Sequence, residues 1–226
     1  MLAQGLGLEY NRLMRLYLVR HGRTDAYLKN IRQSPDSVLG EVGIGEAKKV
    51  AKRLKDVEVD VLISSHWPRA KQTAEIIAKE RGDLEIVIYP DLHEQEHSPS
   101  LYGAEDQSEI DLRHHKERSE SSKELNFDWK FEGGGESLNE LLVRANKVKK
   151  ALVEKYNGKK VIAVSHGTFM AALLTSAIFG DEPDKKTVID FFGSFRHHNA
   201  GLSILDYDEE RGFWSLISFN DHSHLA

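Results

Sequence analysis

The chain has 226 residues, of which 40% are hydrophobic and 30% are charged, and its formal net charge is −5 at pH 7. This length allows one well-buried α/β core with room for a small inserted subdomain. The acidic balance leaves no broad basic field, which excludes a dedicated nucleic-acid binder, and the absence of cysteine excludes disulfides, thiolate catalysis and cysteine–zinc sites. The longest apolar run is too short to cross a bilayer, so we expect no membrane partner and a cytoplasmic location.

Hydrophobic periodicity predicts strands that alternate with helices. In chain order these are a strand at 16–19, a loop at 25–39, a helix at 41–55, a strand at 60–65, a helix at 68–81 and a strand at 84–89. A charged, exposed helical excursion at 104–124 is followed by a helix at 136–156, a strand at 160–165, an apolar helix ending at 179, and a hairpin of strands 201–207 and 213–219. Residues 1–13 precede this pattern and are predicted to be an N-terminal extension.

The alternation of strands and helices favours an α/β fold, here a three-layer α/β/α sandwich around a mostly parallel sheet. The final hairpin predicts that this central sheet is mixed. No linker divides the chain, so we expect residues 14–226 to form a single domain with a small helical insertion at about 97–132.

Two of the predicted strands end in the same way, with a histidine followed by a glycine, at His21 and His166. The tips of parallel strands meet at one edge of a sheet, where open α/β folds bind ligands, so the two histidines are expected to converge. Arg20 precedes the first of them, and Arg69 lies in the first turn of a helix whose N–H groups favour an anion. Forked guanidinium donors suit phosphoryl oxygens, so this edge is predicted to hold a phosphate. A histidine placed there can act as a nucleophile, a base, a metal ligand or a hydrogen-bonding group.

Six short motifs follow one another along the chain. They are Arg-His-Gly-Arg-Thr at 20–24, Ser-Ser at 64–65 with Arg-Ala-Lys-Gln-Thr-Ala at 69–74, Leu-His-Glu at 92–94, Gly-Gly-Glu-Ser at 134–137, Ser-His-Gly at 165–167, and Asn199. This ordered set resembles the histidine phosphatase superfamily, also called the phosphoglycerate-mutase-like family. Each motif alone is weak evidence, whereas the complete set in this order is specific.

The resemblance implies a covalent mechanism. His21, as a neutral imidazole, would attack phosphorus and carry the phosphoryl group, while Glu94 would protonate the leaving oxygen and then activate water. The residues implied to contact the phosphoryl oxygens are Arg20, Thr24, Arg69, His166 and Gly167. Because the arginines supply positive charge, the resemblance implies neither a cofactor nor a metal ion.

The chain departs from the family pattern at Tyr27, where many members have Asn, and this departure motivates a non-catalytic binder as an alternative. Two departures from the mutase pattern favour a phosphatase. The segment after Glu94 reads Gln-Glu-His-Ser-Pro at 95–99 in place of an Arg and a Tyr-Gly pair. The mutases grip a carboxylate with paired arginines, whereas Arg113 and Arg118 are not adjacent. We therefore expect a histidine acid phosphatase, a phosphomonoesterase that acts on a small phosphorylated substrate.

Several alternatives stay open. The same residues could serve a phosphoglycerate-mutase-type phosphotransferase or a non-catalytic binder of phosphorylated ligands. Glu96 could replace Glu94 as the proton donor, because only two positions separate them. The charged tract at 104–124 is either a solvated face or a cover that shapes access to the site. A homodimer through edge-strand pairing is compatible with the sequence, and the histidine pairs at 114–115 and 197–198 lack zinc-site spacing.

Overall fold

The computed structural model describes residues 13–226, so the predicted extension lies outside the described residues except for Leu13. The strands in this part of the chain are β1 (Leu13–Arg20), β2 (Val61–Ser64), β3 (Ile86–Ile88), β4 (Lys160–Ser165), β5 (Leu202–Asp208) and β6 (Phe213–Asp221). Its α-helices are α1 (Asp25–Leu28), α2 (Glu41–Leu54), α3 (Pro68–Glu80), α4 (Glu109–Lys123), α5 (Leu138–Tyr156), α6 (Gly167–Phe179) and α7 (Lys185–Ser194). The first strand therefore begins one residue before the predicted start of the domain.

One six-stranded sheet runs through the molecule in the order β3-β2-β4-β1-β5-β6. Strands β3, β2, β4 and β1 are parallel to one another, whereas β5 pairs antiparallel with β1, and β6 pairs antiparallel with β5 at one end of the sheet. The predicted mixed sheet and its closing hairpin are confirmed. In the register of the central pair, Arg20 lies opposite Ser165, so the residues that follow each of them leave the sheet side by side.

The core lies on both faces of this sheet, because successive side chains of β1 point to opposite sides. Leu16 and Leu18 pack with a cluster that includes residues of α5 and α6, while Tyr17 and Val19 pack with a second cluster that includes residues of α2 and α3. Two helical layers thus cover a central sheet, and the predicted three-layer sandwich is confirmed.

The inserted helix α4 differs from the solvated tract that its charge suggests. Asp111 and His114 are buried on the face of α4 that meets Arg32. The Nε atom of Arg32 donates to Asp111 over 2.8 Å, and its Nη2 atom donates to His114 Nδ1 over 3.1 Å. These hydrogen bonds therefore hold α4 against the loop that follows α1. Residues of α4 line the cavity beside the strand tips.

Two further local differences are small. The loop predicted at 25–39 contains the single helical turn α1, and the third strand spans only three residues. Among residues 13–226, no helix combines the length and the apolar character that a membrane span requires.

Candidate active site

His21 leaves the tip of β1 with its ring orientation defined by two contacts. Its Nδ1 atom lies 2.7 Å from the carbonyl oxygen of Gly22, which can only accept, so Nδ1 carries the proton. The other ring nitrogen, Nε2, accepts a hydrogen bond from Arg69 Nε over 3.2 Å. His21 is only 2% exposed. The geometry therefore presents a neutral imidazole whose Nε2 lone pair faces a guanidinium.

The electrostatic surroundings keep this ring unprotonated. Burial contributes most to lowering the pKa of His21 well below its usual value of 6.5, and the positive charges of Arg69 and Arg20 lower it further. A neutral histidine in this state has the lone pair that nucleophilic attack requires.

Backbone contacts hold His21 from both sides. Asn199 donates from Nδ2 to the His21 carbonyl oxygen over 3.0 Å, and the Gly22 N–H donates to Thr73 Oγ1 over 3.2 Å. A Cβ atom at Gly22 would lie 2.4 Å from the Gly43 carbonyl oxygen, so only glycine fits between β1 and α2. This explains the glycine that follows the histidine in the first motif.

His166 lies at the N-cap position of α6, and its ring centroid lies 5.0 Å from that of His21. Its Nε2 atom is 2.9 Å from Ser65 Oγ, whereas its buried Nδ1 atom has no hydrogen-bond partner. Burial, followed by the charge of Arg69, lowers the pKa of His166 well below its usual value. The two predicted histidines thus converge, and the second has an unused polar atom.

Arg20 lies against the same corner. Its Nη1 atom donates to the carbonyl oxygen of His197, and its Nε atom is buried without a partner. A Cβ atom at Gly167 would lie 3.2 Å from that Nε atom, so the glycine lets the guanidinium approach the start of α6. Burial lowers the pKa of Arg20.

Arg69 is placed by the first turn of α3 and is 2% exposed. Its Nη1 atom donates to the Ser34 carbonyl oxygen over 2.9 Å, and its guanidinium lies 4.6 Å from the ring centroid of Trp67. Burial lowers the pKa of Arg69 to about 10, which leaves it positively charged at neutral pH.

Trp67 is a site residue that the sequence reasoning missed. Besides Arg69, it contacts His166 edge-on at 5.1 Å and stacks on His93 at 5.7 Å between ring centroids. The only signal in the sequence is an aromatic residue immediately before Pro68, at the cap position of α3. Trp67 belongs to the site because it contacts His93 and His166, which are distant from it in the chain.

Glu94 directs its carboxylate at the N-terminus of α6. Its Oε2 atom accepts from the Thr168 N–H over 3.0 Å, and its Oε1 atom accepts from the N–H groups of Phe169 and Gln95 over 2.9 and 3.0 Å. Glu94 lines the same cavity as His21, whereas Glu96 lines a neighbouring cavity. Of the two candidate acids, Glu94 is the one that shares a cavity with the histidine.

A second missed feature is the contact between Arg144 and the segment that carries Glu94. Arg144 donates from Nη1 to the carbonyl oxygens of Asp91 and His93 over 2.7 and 2.9 Å. Its Nε and Nη2 atoms form a forked ion pair with Glu136 over 2.8 and 2.7 Å. The glutamate of the Gly-Gly-Glu-Ser motif therefore orients an arginine of α5 that anchors the 91–94 segment.

The cavity at these strand tips has a volume of about 410 Å³. Its lining includes Arg20, His21, Tyr27, Arg69 and Glu94. Thr24 is placed differently, since its Oγ1 atom accepts from the Tyr27 N–H and caps α1. A contact between Thr24 and a phosphate stays a prediction. Among residues 13–226, no group of three or more His, Cys, Asp or Glu side chains is arranged to hold a metal ion.

A comparison with known protein families agrees with this site. Its paired histidines and two arginines lie at the edge of the sheet. The family model described as "Histidine phosphatase superfamily (branch 1)" matches residues 16–222. The chain belongs to the histidine phosphatase superfamily. Curated superfamily relatives are of similar length to this chain. A "Metal-independent phosphoserine phosphatase" from Arabidopsis thaliana is 30% identical over 220 residues, which cover 93% of this chain and 83% of the relative.

Mutase-like and hydrolase names both occur among the similar superfamily proteins. "Phosphoglycerate mutase-like protein 4" from Arabidopsis thaliana is 29% identical over 212 residues, which cover 93% of this chain and 86% of that protein. The solved structure of "Mycobacterial hydrolase 1" has a TM-score of 0.78 and 25% sequence identity, and the match covers 93% of this chain and 99% of that chain. These histidine phosphatase relatives support phosphatase or mutase chemistry in general.

Proposed function

We propose that this protein is a metal-independent phosphomonoesterase of the histidine acid phosphatase type, working through a phosphohistidine at His21. The observation that carries the proposal is the buried, neutral His21, whose Nε2 lone pair faces Arg69 in a cavity that Glu94 also lines. The substrate is a small phosphorylated molecule, and the cytoplasmic location remains a prediction from the sequence.

In the first step, the substrate displaces the Arg69 hydrogen bond from His21 Nε2, whose lone pair then attacks phosphorus. The Nε2–P bond forms and the P–O bond to the leaving group breaks. Glu94 is the proposed general acid of this step: its carboxylic acid form gives a proton to the leaving oxygen, so the product departs as an alcohol. The Nδ1–H of His21 stays hydrogen bonded to Gly22, which keeps the ring aligned for in-line attack.

In the second step, the ionised Glu94 takes a proton from water, and the resulting hydroxide attacks the phosphoryl group. The Nε2–P bond breaks, inorganic phosphate leaves, and His21 and Glu94 return to their starting protonation states. Arg144 and Glu136 act as positioning residues, because they hold the segment that carries Glu94.

Fixed positive charge accompanies both steps. Arg20 Nε and His166 Nδ1 are buried polar atoms without partners, which a phosphoryl oxygen would satisfy. Together with Arg69 they stabilise the charge that develops on the equatorial oxygens, so the arginines take the part that a divalent cation takes elsewhere.

The test is phosphate release from phosphorylated metabolites and an aryl phosphate, with a chelator present. Wild type should release phosphate, whereas folded His21→Ala should lose at least about a thousandfold in kcat. His222→Ala, which changes an exposed histidine outside the cavity, is the matched control. A short reaction quenched in base should trap an alkali-stable, acid-labile phosphoenzyme in wild type only.

Other outcomes separate the rival functions. Faster isomerisation of 3-phosphoglycerate than its hydrolysis, in the presence of a bisphosphorylated primer, would identify a mutase. Ligand binding by folded protein without turnover or a trapped phosphoenzyme would identify a non-catalytic binder.

A further inference from the structure

A second cavity of about 530 Å³ adjoins the catalytic one. The two cavities share the lining residues Gln95, His97 and His115, so they meet along this boundary. A ligand whose phosphate lies against His21 reaches the second cavity by passing these three side chains. A molecule as small as a phosphorylated three-carbon acid would leave most of this space empty.

Two arginines face the second cavity from different elements. Arg118 belongs to α4, and Arg196 follows the end of α7. Within residues 13–226, neither side chain has a hydrogen-bond or ion-pair partner, although most of the arginines in that range are paired. Both guanidinium groups therefore have unpaired N–H donors in the lining of the second cavity.

The remaining charges do not neutralise this pair. Lys130 also lines the cavity, but it is engaged with Glu140 over 2.8 Å. Glu136 is engaged with Arg144, which leaves Glu96 as the lining carboxylate without an ion pair in the described part of the chain. The unpaired groups therefore carry a net positive charge.

The arginines also lie in each other's electric field. Arg118 is accessible from the open cavity, yet the enclosing protein lowers its pKa. The positive charges of Arg32 and Arg196 lower this pKa further, whereas the negative charge of Glu94 opposes them. An anion bound between Arg118 and Arg196 would offset the repulsion between these two arginines.

Aromatic residues line part of the second cavity and are called its aromatic floor. Phe131 and Phe127 are buried and contribute little surface, whereas Trp129 is half-buried, with 6.4 Å between the ring centroids of Trp129 and Phe131. Phe192 contributes a further ring to the lining. Aromatic side chains of this kind favour a planar or apolar ligand body.

We infer that the leaving group of the substrate occupies this second cavity, with an apolar, planar body over the aromatic floor and a terminal carboxylate or phosphate bound by Arg118 and Arg196. This inference rests on the proposed phosphatase function, because it takes the reacting phosphate to lie at His21. It defines the substrate as an extended molecule with two anionic ends.

The test uses three aryl phosphates of the same ring size. They are 2-naphthyl phosphate, 6-carboxy-2-naphthyl phosphate and 2,6-naphthylene bisphosphate, which differ only in the second anionic group. Wild type should show kcat/KM at least about tenfold higher for the compounds with a second anion, since charge-assisted hydrogen bonds add affinity. Comparison of the carboxylate with the phosphate identifies which anion the arginines prefer.

The variants Arg118→Gln and Arg196→Gln assign the effect. Each should raise KM for the two doubly anionic compounds by about tenfold, while kcat/KM for 2-naphthyl phosphate changes less than about twofold. Lys116→Gln removes one charge from α4 outside both linings and should leave all three compounds unchanged. Equal kcat/KM for the three compounds in wild type, or equal losses for all of them in the variants, would overturn the inference.

Binding to His21→Ala separates this inference from the proposed function. Calorimetric titration should give at least about tenfold tighter binding of the carboxy compound than of 2-naphthyl phosphate, and Arg118→Gln in the same background should abolish the difference. Absence of turnover by wild type would contradict the phosphatase, whereas absence of this binding difference would contradict the second anion site.

Discussion

The Arg69 guanidinium donates from Nε to the Nε2 atom of His21 over 3.2 Å, which places a fixed positive charge beside the ring nitrogen that carries the lone pair. The same contact orients the ring and opposes its protonation. One arginine thus affects both the position and the charge state of His21, and substitutions at Arg69 can separate these two effects.

Arg69→Met should lower kcat by about 10²- to 10³-fold, because it removes a donor that stabilises the transition state. Since the charge of Arg69 lowers the pKa of His21, its removal should also move the acidic limb of the kcat/KM profile to higher pH. Arg69→Lys should lose a similar factor in kcat and keep the acidic limb near its wild-type position. Rates measured from pH 4 to 8 check both, and identical profiles for wild type and Arg69→Met would contradict the electrostatic role.

Buried histidines make the fold sensitive to acid. Burial and Arg32 lower the pKa of His114 to about 3 from the usual 6.5, so the unfolded chain binds more protons than the folded protein at intermediate pH. The free energy of unfolding should therefore fall as the pH drops below 6.5. At pH 5 this one residue accounts for about 2 kcal/mol.

His114→Asn tests this origin of the acid sensitivity. Asn Oδ1 can accept the Arg32 hydrogen bond in place of Nδ1 and does not titrate. Urea denaturation at pH 7 and pH 5 should show a loss between the two pH values that is about 2 kcal/mol smaller than in wild type. His222→Asn, at an exposed position, controls for the substitution itself, and an unchanged loss in His114→Asn would rule out this explanation.

Arg144→Lys should impair proton transfer by Glu94 more than attack by His21. Lysine keeps the charge but cannot form the forked pair with Glu136 while also holding the carbonyl oxygens of the 91–94 segment. We expect kcat for an alkyl phosphate to fall by about 10- to 100-fold, and kcat for an aryl phosphate with a good leaving group to fall much less.

The control for this prediction is Lys147→Gln, which removes the exposed ion pair between the same helix and Asp91. This variant should leave kcat unchanged for both the alkyl and the aryl phosphate. An equal loss on alkyl and aryl phosphates in Arg144→Lys would mean that Arg144 acts on the whole site and not through Glu94.

Gly167→Ala should reduce kcat/KM by about tenfold without loss of stability. The added methyl group would lie 3.2 Å from Arg20 Nε and 3.3 Å from its central carbon, so the guanidinium must move away from the start of α6. Alanine is the better helix former, and the melting temperature should stay the same or rise. Gly45→Ala in α2, where a methyl group meets nothing within 4 Å, should raise stability and leave kinetics unchanged. Full activity in Gly167→Ala would show that Arg20 tolerates the shift.

The convergence of His21 and His166 could be predicted from the sequence, because strand tips in a parallel sheet share one edge. Trp67 and Arg144 could not, since their contacts join segments that no local pattern relates. The burial of His114 escaped prediction for another reason: α4 is so rich in charge that its weak apolar periodicity hides the face held by Arg32.

The bond from Asn199 to the His21 carbonyl oxygen joins positions that are 178 residues apart in the chain. The strand that delivers His21 lies between β4 and β5, both of which are translated long after it. A nascent chain still attached to the ribosome therefore carries His21 without the neighbours that orient it. The proposed phosphoryl chemistry then requires that Asn199 and β5 have emerged, and we expect a product truncated before Asn199 to have no phosphatase activity.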